Sequence, residues 1–78
     1  MLTREFAKTG AIRAMRYNKE KGQLVVVFAK QERFYEGVPT EIATKFYYAA
    51  DKGLGNVYSY YATNVKGKFQ VSEIKPIK

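Results

Sequence analysis

Gln23 to Lys30 dictates the centre of this protein: Leu24, Val26 and Phe28 fall on one side of an extended chain, and Val25, Val27 and Ala29 on the other. A run rich in β-branched residues and apolar at both alternations specifies a strand whose two faces both need cover. One face calls for a helix. The other calls for the C-terminal segment or a second copy of the chain. With 78 residues there is room for one such core, because a domain this small buries only about 60% of the surface its unfolded form exposes.

The flanking segments supply the rest of a sheet. Ala11 to Asn18 alternates loosely, with Ile12 and Ala14 on one side and Arg13, Met15 and Tyr17 on the other, and reads as a first strand. Asn18-Lys19-Glu20-Lys21-Gly22 between them is a reversal, opened by a turn-forming Asn and closed by a Gly able to take positive φ. Beyond a tight Lys30-Gln31 connection, Arg33-Phe34-Tyr35 forms a short third strand. At Gly37-Val38-Pro39 the period changes to that of a helix spanning roughly Pro39 to Lys52, with Pro in its first turn and Glu41 near the positive end of its dipole. Ile42, Phe46 and Ala49, flanked by Ala43 and Ala50, form its apolar stripe, and Gly53 is placed to close it. Val57-Tyr58-Ser59-Tyr60-Tyr61 is too short and aromatic for periodicity to separate strand from helix, so 53–64 is left open. Phe69, Val71 and Glu73 alternate with Gln70, Ser72 and Ile74 in a last strand before Pro76. The expected fold is α+β: an antiparallel sheet of three to four strands with one main helix on one face. No internal repeat or linker divides it.

Composition narrows the chemistry. The sequence contains no cysteine and no histidine, which removes disulfides, thiolate nucleophiles, the usual soft metal ligands and the usual triad base. Glu5, Glu20, Glu32, Glu36, Glu41, Asp51 and Glu73 are scattered, without the spacing of a metal site or an acid/base pair. Gly53-Leu54-Gly55-Asn56 follows a helix instead of preceding one, which argues against a phosphate-cradling loop. Catalysis, a cofactor and a metal are therefore not expected. Arg4 and Glu5 interrupt any signal-peptide core, and no apolar run approaches the ~18 residues of a membrane span, so a cytoplasmic location without membrane contact is expected. Fourteen Lys and Arg against seven Asp and Glu give a net charge of +7, which draws in polyanions or simply keeps a small domain soluble.

A longer pattern runs through these elements: Ile12 and Tyr17-Asn18, then Leu24-Val25-Val26-Val27-Phe28, Arg33-Phe34-Tyr35-Glu36-Gly37-Val38-Pro39 and Val65-Lys66-Gly67-Lys68-Phe69. It resembles the KTSC family from Ile12 to Phe69, most strongly at Tyr35-Glu36-Gly37-Val38-Pro39. KTSC domains are short modules named for their occurrence at the C-terminus of some lysyl-tRNA synthetases, and they also occur as free-standing bacterial and phage proteins. Their function is unestablished, with RNA binding suggested. This chain departs from the family pattern where a central Tyr-x-Tyr reads Arg33-Phe34-Tyr35, and where an aromatic-Asn pair reads Tyr61-Ala62.

A nucleic-acid binder needs cations for phosphates and exposed rings on which bases stack, at about 1–3 kcal/mol per base. The residues that fit are Arg13 and Tyr17 on the first strand, Arg33 and Tyr35 on the third, and Lys45, Tyr48 and Lys52 at i, i+3 and i+7 of the helix. Tyr58, Tyr60, Tyr61, Lys66 and Lys68 complete the set. The plainer alternative makes each tyrosine an amphipathic filler with its hydroxyl in water, and each cation part of a solvated surface. Phe28, Phe34, Phe46 and Phe69 are assigned to the core. RNA is the favoured partner. An acidic protein partner, a homodimer burying the two-faced strand, or a small nucleotide are the alternatives.

Overall fold

A computed structural model describes residues 1–7, 10–53 and 55–77; Leu54, in the glycine-rich stretch considered above, lies outside them. In chain order the elements are β1 (Leu2–Glu5), β2 (Ile12–Asn18), β3 (Gln23–Phe28), β4 (Gln31–Glu36), α1 (Thr40–Tyr48) prolonged by a 3-10 turn (Ala49–Lys52), α2 (Gly55–Asn64) and β5 (Gln70–Pro76). The strands lie side by side in the order β1-β2-β3-β4-β5, each antiparallel to its neighbour. The architecture is α+β as expected, but the sheet has five strands, and a second helix follows the first. Among the described residues, no helix is long and apolar enough to cross a membrane.

The β2–β3 hairpin forms for the reason its turn residues imply. The Asn18 side-chain oxygen accepts the N–H groups of Glu20 and Lys21 at 3.0 and 3.3 Å, and Gly22 takes φ +64°. On the helix-covered face, the register brings Tyr17, Leu24 and Tyr35 into one row and Met15 and Val26 into the next, all buried. Here strict alternation on β2 fails. Ile12 pairs with Phe28 and Ala14 with Val27, so Arg13 is the extra residue of a β-bulge that returns Ile12 to the side of Met15 and Tyr17. The expected grouping of Ile12 with Ala14, and of Arg13 with Tyr17, is corrected accordingly.

α1 covers this face with its apolar stripe: Ala43 and Phe46 are buried, with Ile42 and Ala50 packed at the margin. Gly53, at φ +116°, ends the 3-10 turn. Phe46 sits at the middle of the core, its ring 5.6 Å from Phe6, 5.9 Å from Tyr60 and 6.4 Å from Tyr61.

The second face of the sheet carries Val25 and Phe34 in one row and Val27 in the next. Among the described residues no layer covers it; long side chains do. Arg16 reaches Glu32 at 2.8 Å across the sheet, and the Lys75 ammonium lies 5.2 Å from the centre of the Phe34 ring. Phe34 is thus half-buried on the open face and not in the core to which it was assigned. Tyr35, its neighbour, takes the inward position because adjacent strand residues point to opposite faces.

Candidate nucleic-acid interface

α2 lies against α1 through the stacked rings of Tyr60 and Phe46, 16° from parallel, and through the Tyr60 hydroxyl, which donates to the Ile42 carbonyl at 3.0 Å. Burial, and then the nearby Glu41 carboxylate, raise the Tyr60 hydroxyl above the ordinary tyrosine value, so it stays a neutral donor. Between the outer surfaces of the helices runs a groove of about 550 Å³, lined by Lys45, Tyr48 and Lys52 from the first helical stretch and by Asn56, Ser59, Tyr60, Thr63 and Asn64 from α2.

The groove combines charge, a ring and hydrogen-bonding groups. Lys45, Tyr48 and Lys52 project outward because their spacing puts them opposite Ala43 and Phe46. Tyr48 is 56% exposed, and its ring is steadied by an edge contact with Tyr47 at 4.9 Å. Lys45 has an i, i+4 partner in Glu41 at 3.1 Å; pairs of this exposed kind are weak and readily exchanged for a phosphate. Asn56 donates its amide to the Lys52 carbonyl at 2.5 Å, and Asn64 donates to the Tyr60 carbonyl at 3.2 Å. Each amide so held keeps its side-chain oxygen as an acceptor.

Four of the residues selected from sequence therefore come together here: Lys45, Tyr48, Lys52 and Tyr60. Three of the tyrosines are corrected. Tyr17, Tyr35 and Tyr61 are 3%, 1% and 1% exposed, and none offers a face to a base. The Tyr17 hydroxyl donates to the Val38 carbonyl at 2.7 Å, and the Tyr35 and Tyr61 hydroxyls bond to each other. Arg33 does share a side with Tyr35, but it is the helix-covered side. Its guanidinium donates to the Tyr61 hydroxyl at 3.3 Å and lies 5.3 Å from the centre of the Phe28 ring. Arg13 is half-buried and donates to the Gly10 carbonyl at 3.0 Å. Tyr58 is exposed at the start of α2, beside a small cleft with Phe6, Ile12 and Val57, apart from the groove. Lys66 and Lys68 are exposed on the turn that follows α2. Sequence reasoning missed Asn56, Ser59, Thr63 and Asn64. Their i, i+3, i+7 and i+8 spacing becomes a signal only once the segment is known to be helical.

Comparison with protein families matches the KTSC domain over residues 8–69, and the chain belongs to that family. No curated protein matches it.

Proposed function

We propose that this chain is a small binding module that holds single-stranded RNA along the groove between its two helices. The supporting observation is that Lys45, Tyr48, Lys52 and Tyr60 line one depression together with polar groups of α2, in a chain of net charge +7. In this reading the two lysines take successive phosphates, Tyr48 stacks a base, and the side-chain oxygens of Asn56 and Asn64 accept from exocyclic amines. Lys66 and Lys68, just past α2, extend the basic path.

The test is fluorescence anisotropy with labelled single-stranded RNA, tRNA and duplex DNA across a salt series. Each phosphate engaged on a single strand adds about −0.7 to the slope of log affinity against log salt. Engagement of the two groove lysines plus Lys66 and Lys68 gives about −3. The proposal is abandoned if none of the three binds at low-micromolar protein in low salt.

A second reading is favoured by the size of the groove. About 550 Å³ is within the range of small-ligand sites, roughly 300–1,000 Å³, and would hold one nucleotide. Thermal unfolding against mononucleotides separates the two readings. Saturation at 100 times the dissociation constant adds about 2.7 kcal/mol, and a strand binder shows no comparable gain with a mononucleotide.

A further inference from the structure

We propose that two copies of this chain associate by pairing their β5 strands antiparallel about a two-fold axis at Ile74. β5 is hydrogen-bonded to β4 along one edge only, none of the described residues pairs its other edge, and all seven of its residues are exposed. The opposite edge of the sheet is guarded. β1 has four residues, and its Arg4 is tied to the Tyr47 carbonyl at 2.6 Å and to Asp51 at 2.7 Å.

The free edge has a definite polarity. The Ile77 N–H donates to the Lys30 carbonyl at 2.8 Å, so Lys30 and Ile77 form a hydrogen-bonded pair. Alternation along an antiparallel ladder then makes Gln31/Pro76 and Arg33/Ile74 the non-bonded pairs. The N–H and C=O of Ile74 consequently aim outward. Pro76, which has no N–H, sits where β4 requires none.

Charge selects the register. With Ile74 opposite its own copy, Glu73 of each chain meets Lys75 of the other, on both sides of the axis. The contact between Glu73 and Lys75 within one strand is loose, at 4.0 Å, and leaves both free to bond across the axis. A parallel arrangement in register would place Glu73 beside Glu73 and Lys75 beside Lys75, and like charges directly opposite are destabilising. A two-fold at Pro76 would lack the N–H, and one at Glu73 or Lys75 would set two like charges directly opposite each other. The Ile74 register also covers apolar surface that the monomer leaves in water, because Ile74 and Val71 are 52% and 39% exposed on the helix side. The association closes on itself, so it ends at two copies. An edge-to-edge contact of this kind falls below the roughly 1,200 Å² of a standard interface, and the dimer is therefore weak and concentration-dependent.

The groove residues lie on the helices, so this inference stands or falls separately from the RNA reading. Sedimentation equilibrium from about 10 µM to about 1 mM, the range over which a small interface is populated, should show a monomer–dimer equilibrium for the natural chain. Glu73→Lys and Lys75→Glu should each raise the dissociation constant about tenfold, because two attractive pairs become repulsive. An equimolar mixture of the two variants restores complementary pairs and should recover association as a heterodimer. Ile74→Pro, which removes an outward donor that β4 does not use, should be monomeric. Thermal unfolding of each variant checks that it is folded. A natural chain that stays monomeric throughout, single variants that associate as well as it does, or a mixture that fails to recover would each overturn the proposal.

Discussion

The hydroxyls of Tyr35 on β4 and Tyr61 on α2 bond to each other inside the core, joining the sheet to the second helix where both rings are cut off from water. Arg33 donates to the same Tyr61 hydroxyl, so each of the three polar tips has a hydrogen-bond partner without a carboxylate. Tyr61→Phe removes the shared group. It should lower stability by about 1–2 kcal/mol, the usual consequence of leaving a buried partner short of a hydrogen bond, as measured by urea denaturation.

The same contact sets an alkaline limit. Burial, reinforced by the Tyr35 hydroxyl, raises the Tyr61 hydroxyl above its ordinary value of 10.0. A raised value means that the folded state holds its proton more tightly than the unfolded state. The stabilisation is complete below about pH 10 and is lost as pH rises beyond it toward the folded value. Denaturation midpoints of the natural chain should fall over that range, and the fall should be shallower in Tyr61→Phe.

At the acid end, two carboxylates act in the opposite sense. Glu36 is held below its ordinary 4.5 by the Ser72 hydroxyl at 2.6 Å and then by the Gln23 amide at 2.8 Å. Asp51 is held below its ordinary 3.8 by the Arg4 guanidinium. Depressed values stabilise the fold above those ordinary values, and this stabilisation is lost as pH falls through the folded ones. Thermal midpoints measured downward from about pH 5 should drop, with Glu36→Gln flattening part of the curve.

In the groove, Tyr48→Ala should weaken RNA binding by about 1–3 kcal/mol at every salt concentration, as loss of a stacking platform does. Lys52→Ala should instead make the salt slope less negative by about 0.7. Anisotropy titrations of both variants distinguish the two effects. Tyr48 and Lys52 are exposed, so neither change should shift the thermal midpoint appreciably.

Two phenylalanines should respond unequally to truncation. Phe46→Ala leaves a void at the middle of the core and should cost about 3–5 kcal/mol, enough to unfold much of a small domain. Phe34→Ala, on the open face under Lys75, should cost well under half as much. Urea denaturation of each measures the difference.

Much of this protein follows from its residues in order. Local periodicity and turn chemistry determine the β2–β3 hairpin, the run of β3, the stripe of α1 and the outward projection of Lys45, Tyr48 and Lys52, because each depends on neighbours within a few positions. The KTSC pattern is legible for the same reason. Other features were decided by contacts between residues far apart in sequence. β1 is a strand because its backbone pairs with β2 from Leu2 to Glu5, and Arg4 then ties it to Tyr47 and Asp51. α2 is a helix whose aromatic residues find Phe28, Tyr35 and Phe46. One extra residue, Arg13, reverses the facing of Ile12, and period-two reasoning cannot see a bulge before the pairing register is known. Which of two adjacent residues, Phe34 or Tyr35, turned inward was likewise open until the helices settled on one face. Hydrophobicity favours both alternations of such a sheet equally, and only the packing of α1 and α2 chose between them.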